Sequence, residues 1–260
     1  MDLRLKGRKA VVTGGSKGIG FAIAEYLLKE EADVVLVARS EDNVVAACDK
    51  LRQTFVKGEI QGVALDLSES SSAEILSSQW PDIDILVNNA GAIPGGDLDS
   101  TNDKTWREGW DLKVFGYINL TRQYYRRMCE RRRGVIINII GNRAERPDNK
   151  AISGSTGNAA LAAFTKALGA SSPANGVRAI GVSPGWVATD RIVSSMRKRA
   201  LAERGNADCW EELLQDLPFG RAATPEEIAA VVAFLASDIS AYTTGTIITV
   251  DGGLSNRGSV

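Results

Sequence analysis

The residues best placed to do chemistry lie in the run Thr13-Gly14-Gly15-Ser16-Lys17-Gly18-Ile19-Gly20. The charge-free stretch Ala10-Val11-Val12 precedes it, and the residues from Ile19 to Leu28 place apolar side chains at helical spacing. A strand therefore runs through a glycine turn into a helix. Glycine lets the chain turn tightly and lets a phosphate approach the backbone, while the unpaired N–H groups of the helix start attract its charge. Strand, glycines and helix together point to a dinucleotide site; a βα turn without a ligand is the plain alternative. The chain has no histidine, which removes Ser-His-Asp and Cys-His nucleophiles, histidine bases and histidine metal sites. Its three cysteines, Cys48, Cys129 and Cys209, are far apart in sequence, so neither a redox pair nor a metal site is expected. Acid–base work falls to Asp, Glu, Lys, Tyr, Cys or water.

The elements that must position this turn alternate along all 260 residues. Strands are expected over 10–12, 34–37, 62–65, 83–87, 135–139, 177–182 and 246–250. Helices are expected over 19–28, 41–55, 101–132 (one long helix or two joined), 154–171 and 225–237. The last begins with Pro225, Glu226 and Glu227, residue types favoured in a first turn. The strands are rich in Val and Ile without alternation, as in a parallel sheet buried on both faces. No linker or repeat interrupts the pattern, so residues 1–260 read as a single doubly wound α/β domain of Rossmann type. The segment at about 190–219 lacks strand character and carries Arg191, Arg197, Lys198, Arg199, Arg204 and Trp210. It follows the sixth strand at the carboxyl edge, where such sheets bind ligands. We read it as a helical flap over a substrate pocket, with a surface helical hairpin as the alternative. Arg126, Arg127, Arg131, Arg132 and Arg133 read as a solvated helix end. With 31 basic and 32 acidic residues the net charge is −1, which argues against a nucleic-acid partner. No apolar run is long enough for a bilayer and no signal-peptide block precedes the first strand, so a cytoplasmic protein is expected.

At this point the chain resembles the short-chain dehydrogenase/reductases. The resemblance rests on Thr13 to Gly20, Asn88-Asn89-Ala90-Gly91, Ser183-Pro184-Gly185-Trp186-Val187-Ala188-Thr189 and Val250-Asp251-Gly252-Gly253, in the family's order along nearly the whole chain. It implies a seven-stranded parallel sheet of order 3-2-1-4-5-6-7 with helices on both faces, and a homodimer or homotetramer. It also implies a nicotinamide cofactor across the carboxyl edge and a small-molecule substrate. Cofactor contacts are then expected at Gly14, Ser16, Lys17, Gly18, Ile19 and Gly20. Asp66 and Leu67 match the adenine contact, Asn89, Ala90 and Gly91 the adenosine side, and Pro184, Gly185, Val187 and Thr189 the nicotinamide end. NAD sites place a carboxylate after the second strand. Here Ala38 is followed by Arg39 and Ser40, and Lys17 lies in the glycine turn. Arg39 can grip a 2′-phosphate and Lys17 adds a charge, which favours NADP over NAD.

The resemblance breaks at the catalytic positions. The family uses a Tyr acid, a Lys that lowers its pKa, a Ser that holds the substrate oxygen and an Asn that supports a water relay. The strand over 135–139 puts the Ser position at Gly141, and Asn158-Ala159-Ala160-Leu161 puts the Lys position at Asn158. One helical turn back, the Tyr position falls on Gly154, and the family's Ser–Tyr spacing fits without a gap. The Asn position falls on Lys113. A positioned acid is worth about 10²–10⁴-fold in rate, so something must substitute if the chain turns over. Lys113 is one candidate, as oxyanion partner or proton donor; its alternative is a helix-face lysine paired with Asp111 or another carboxylate. Asn158 retains the ability to bond a ribose hydroxyl. Lys150, Asn142, Ser153, Ser155 and Tyr117 lie close in sequence, with solvated or core roles as alternatives. Arg143 and Glu145 sit at the expected pocket rim. Glycine at two catalytic positions predicts an enlarged pocket.

Three functions follow in order. The first is an NADP(H)-dependent oxidoreductase acting on a carbonyl or alcohol with an atypical proton donor. The second is an NADP(H)-binding protein without turnover, a sensor or partner subunit. The third, a non-redox lyase or isomerase, has no positive feature behind it.

Overall fold

The computed structural model describes residues 2–257. Seven parallel strands form one sheet: β1 (Lys9–Thr13), β2 (Asp33–Ala38), β3 (Ile60–Ala64), β4 (Ile85–Asn88), β5 (Gly134–Ile139), β6 (Val177–Pro184) and β7 (Ile247–Val250). Their order is β3-β2-β1-β4-β5-β6-β7, as the family resemblance implies. The order reverses between β1 and β4, which pair in register at Val11↔Leu86. That switch point opens a crevice at the carboxyl edge.

The unbroken apolar strands are explained by two cores. Successive strand residues point to opposite faces. Ala10, Val12, Val34, Leu36, Ile85 and Val87 pack on α1 (Gly18–Lys29), α2 (Glu41–Thr54) and α8 (Pro225–Ala236). Val11, Val35, Val37, Leu86 and Ile136 pack instead on α3 (Ser72–Gln79), α5 (Gly116–Glu130) and Leu168 of α6 (Ile152–Ser171). Sequence-derived helix ends hold to within a few residues where capping is strong. Thr224 and Glu227 form a reciprocal capping box around Pro225 at the start of α8.

The stretch expected as one or two helices is two joined ones. α4 (Asp103–Trp110) passes through a π-helical turn, Asp111–Phe115, into α5. Such turns insert an extra residue and re-aim side chains. The strand expected from Ile83 begins at Ile85, just after Asp84, whose carboxylate accepts from Lys9 N at 3.1 Å. The basic cluster is more tied than a solvated helix end. Arg131 donates to the Ile83 carbonyl, Arg132 to Ala174 O at 3.0 Å, and Arg133 pairs with Asp84 at 3.1 Å. After β6, the chain forms α7 (Asp190–Arg204) and a 3-10 segment, Ala207–Leu214. Met196, Leu214, Ala222 and the partly buried Trp186 and Trp210 give this region a small core of its own. Among the described residues no helix is long and apolar enough to cross a membrane.

A buried polar chain fastens the middle of the sheet to its helices. Asn88 Nδ2 donates to Thr121 Oγ1 (3.1 Å) and Asn138 Oδ1 (2.9 Å), and Asn138 Nδ2 donates to Thr165 Oγ1 (2.8 Å). Each buried group left unpaired costs about 1–3 kcal/mol. Asn138→Ala orphans partners on both sides. It is expected to lower unfolding free energy by at least about 2 kcal/mol, read as a lower urea midpoint with unchanged far-UV circular dichroism in the folded baseline.

Candidate functional site

The glycine turn is braced from β4. Thr13 Oγ1 accepts from the backbone N–H groups of Asn89 (2.8 Å) and Ala90 (3.0 Å), and Asn89 Nδ2 donates to Thr13 O (2.9 Å) and Gly14 O (3.2 Å). A Cβ on Gly14, whose φ is +62°, would lie 2.9 Å from Asn89 Nδ2, and one on Gly20 would lie 2.3 Å from Gly14 O. The turn thus keeps a cradle that side chains would fill. At its mouth Lys17 is exposed, and the N-cap of α1 has no side-chain bond. Its first N–H groups are left for an anion, so the turn fits a nucleotide's phosphates. Ser16 is half-buried, and Ile19 packs on the core.

One strand over, Arg39 is exposed at the end of β2. Asp66 accepts from Ser68 N (3.0 Å) and Oγ (2.7 Å). Burial pushes the Asp66 carboxyl up, but the Ser68 bonds and the Arg39 guanidinium outweigh it and hold the group below the usual range. Leu67 is buried in the core, so it offers the crevice its backbone only. Across the crevice Pro184 pairs with Val250, Gly185 N donates to Val250 O at 3.0 Å, and Val187 bridges to Ala223. Thr189 reaches the glycine turn: a Cβ on Gly18 would lie 3.0 Å from its Cγ2. The expected contacts from Gly14 to Thr189 therefore border one crevice, although the Asn89 amide is already engaged with the turn.

Beside it lies a second constellation. Lys113, in the π-helical turn, runs its stem along Gly91, with Cδ 2.9 Å from where a Gly91 Cβ would be. Its ammonium donates to the carbonyl of Ile140, the residue before Gly141. Neither Asp111 nor any other carboxylate among the described residues pairs with it. Burial, with Arg191 and Arg143 adding repulsion, pulls the Lys113 ammonium down to about 8. Asn158 is buried and its Oδ1 has no partner. Its Nδ2 lies 2.9 Å from the place of a Gly141 Cβ.

The enlarged pocket is therefore half closed. At Gly141 the Asn158 amide fills the space and φ is +121°, a backbone open to glycine and strained for other residues. At Gly154 the space is open, with only Ile93 Cγ2 at 3.9 Å from a would-be Cβ. Ile93 and Trp110 were not singled out from the sequence. Ile93 lies over Gly154 and Gly157, and Trp110 Nε1 donates to Ser153 O at 3.1 Å. Their only signal was position, between the Asn88–Gly91 motif and α5.

The remaining candidates are placed differently. Tyr117 is buried, donates to Ile139 O at 3.1 Å, and burial pushes its phenol far up. Ser155 is spent on Ala151 O and Asp148 O, Ser153 is buried with its hydroxyl unpartnered, and Lys150 is exposed. Glu145 accepts from Thr249 Oγ1, and Asn142 Nδ2 reaches Asp251 Oδ2 at 3.4 Å.

Comparison with known proteins gives the class. A family model described as enoyl-(acyl carrier protein) reductase matches residues 14–255. The chain belongs to the short-chain dehydrogenase/reductase family. It is 34% identical to a 3-oxoacyl-[acyl-carrier-protein] reductase of Chlamydia pneumoniae, over 98% of this chain and 99% of that one. It is 33% identical to the enzyme of the same name from Escherichia coli, over 97% and 99%. L-sorbose reductase from Gluconobacter frateurii, solved with NADPH and L-sorbose, superposes with a TM-score of 0.93 at 31% identity, covering 99% of this chain and 100% of that one. Actinorhodin polyketide ketoreductase with NADPH gives 0.88 at 29%, covering 96% and 98%.

The two glycines are expected to respond oppositely to substitution. Gly141→Ser should lower unfolding free energy by about 1–3 kcal/mol through backbone strain and collision with Asn158. Gly154→Ala should be neutral or stabilising by up to about 1 kcal/mol. Urea denaturation of both variants checks the contrast.

Proposed function

We propose that the chain is an NADP(H)-dependent oxidoreductase that interconverts a carbonyl and an alcohol, with Lys113 as its proton donor. The observation that carries this reading is the Lys113 ammonium on the Ile140 carbonyl, between Gly91 of the nucleotide crevice and the Gly141–Asn158 pair. Gly141, Gly154, Asn158 and Lys113 stand at the family's Ser, Tyr, Lys and Asn positions in this reading. Lys17, exposed at the start of α1, and Arg39, exposed at the end of β2, would hold the 2′-phosphate, and the turn from Gly14 to Gly20 the pyrophosphate. NADPH-bound reductases among the similar structures support the choice of cofactor.

When bound, the nicotinamide supplies a hydride to the carbonyl carbon. The carbonyl oxygen, gaining the electron pair, takes a proton from the Lys113 ammonium, and the resulting amine regains one from solvent. The Ile140 carbonyl orients the ammonium and leaves two N–H groups for the substrate oxygen. Asn158, through its unpartnered Oδ1, would accept from a ribose hydroxyl. Such a donor works in its protonated form, so reduction is expected to slow as pH rises through about 8, and alcohol oxidation to speed up over the same range.

Two outcomes are expected. In calorimetric titrations Lys17→Ala and Arg39→Ala should each weaken NADPH about tenfold, roughly 1.4 kcal/mol, and leave NADH unchanged. Lys113→Met should cut turnover about 10²–10⁴-fold without weakening NADPH, and should lose the pH limb near 8. Unchanged turnover in that variant would remove Lys113 from the reaction. NADPH binding without deuteride exchange to any carbonyl would favour a nucleotide-binding protein without turnover.

A further inference from the structure

The amino edge of the sheet carries a cleft apart from the nucleotide crevice and from Lys113. It encloses about 470 Å³ and lies where β1, β4, β5 and β6 begin, at the opposite end of β1 from the glycine turn. Small-molecule sites span about 300–1,000 Å³, so the cleft is of ligand size. Neighbouring strands bring charged residues to it in a row. Arg8 precedes β1, Asp84 precedes β4, Arg133 precedes β5, and Arg178 is the second residue of β6. Ala10, Ile85, Val135 and Arg178 are level across the four strands, which stand about 4.8 Å apart. The sheet itself therefore fixes the row. Arg132 joins it from the turn before β5 and Asp238 from the turn after α8. The rest of the lining is small or apolar, with Pro173, Ala236 and Ala241 among it.

The two carboxylates do not balance the four guanidinium groups. Asp84 Oδ2 accepts from Lys9 N at 3.1 Å, and Oδ1 alone faces both Arg133 (3.1 Å) and Arg8 (3.7 Å). Asp238 pairs with Arg8. Arg178 is anchored on Ser237 O (3.0 Å) and Thr243 O (3.2 Å), and Arg132 Nη2 on Ala174 O (3.0 Å). These carbonyls are neutral, so they hold the cations in place without cancelling them. The terminal nitrogens of Arg133 and Nη1 of Arg132 donate no hydrogen bond among the described residues. Arg132 also has φ +52°, a left-handed backbone that is costly for any side chain. Its carbonyl would collide with a Cβ on Gly176, so the turn that carries it is pressed against the opposite wall of the cleft.

We propose that this cleft binds a phosphate dianion, free or as the end group of a small phosphomonoester, on Arg132, Arg133 and Arg8. Two surplus positive charges match a dianion. A tetrahedral phosphate offers three oxygens to guanidinium forks that arrive from different elements, whereas a planar carboxylate offers two to a single fork. The cleft leaves room for the body of an ester beside its small side chains. The five residues of β1, at about 3.3 Å each, separate Arg8 from the glycine turn, so binding does not compete with NADP(H).

The test is calorimetric titration of the full-length protein at about pH 8, where phosphomonoesters are dianions, with and without excess NADPH. The probes are inorganic phosphate, glycerol 3-phosphate and phenyl phosphate, with singly charged dimethyl phosphate as control. At least one dianion should bind with a Kd below about 1 mM, and about tenfold or more tighter than dimethyl phosphate. An ester ahead of inorganic phosphate would assign the phosphomonoester, and the reverse would assign free phosphate. Arg132→Gln and Arg133→Gln should each weaken the dianion about tenfold. Asp238→Asn, which removes a competing carboxylate, should tighten it severalfold, an effect that purely structural arginines would not produce. All three variants should keep the parent's far-UV circular dichroism and NADPH titration. No dianion binding at about 10 mM, equal binding of dimethyl phosphate, displacement of the dianion by NADPH, or arginine variants that bind it as the parent does would each overturn the proposal.

Discussion

The buried hydroxyl of Thr13 is the bond on which the carboxyl edge depends. It donates to Val87 O at 3.2 Å and accepts two N–H groups from the residues after β4. One oxygen thus joins the ends of the two strands that flank the switch point. Without it the glycine turn and the Asn89 loop would each carry unpaired buried groups. The Asn89 amide completes the joint on Thr13 and Gly14, so the turn is held rigid before anything binds. The polar chain from Asn88 through Asn138 to Thr165 extends the same logic to α5 and α6, which carry the second constellation.

Lys113 depends on that framework. A lysine on an ordinary helix face keeps its charge in water and its ammonium loosely placed. Here the π-helical turn and the bare backbone of Gly91 bring the stem inward, and a single carbonyl receives the ammonium. The group is directed without being neutralised by a carboxylate. That combination sets a lysine's proton affinity low enough to matter near neutral pH.

The strands, most of the helices and the glycine turn were legible from local signals, and the strand order from the family resemblance. β-branched runs, the glycine turn, and the Pro225 start of α8 each declare themselves within a few residues. The surroundings of Lys113 were not legible, because they depend on tertiary contacts. The sequence allowed Lys113 a carboxylate partner on its own helix; the fold offers a backbone carbonyl 27 residues away instead. A widened pocket was expected from Gly141 and Gly154 alike, yet only Gly154 faces open space, since the Asn158 amide folds over Gly141. Tyr117 carries a phenol at a plausible spacing, but its burial against Ile139 O is set by how α5 lies on the sheet.

The fit between Gly141 and Asn158 also constrains how this sequence can change. A side chain at 141 meets the amide at 158, and it meets it on a backbone that disfavours any side chain. Each position therefore sets which residues the other accepts, and the effects of changing both will not be the sum of changing either. Routes through sequence space that alter position 141 first pass through a less stable intermediate, whereas routes that first shorten position 158 relieve the collision in advance. The order of substitutions, and not only their identity, decides which neighbouring sequences this chain can reach.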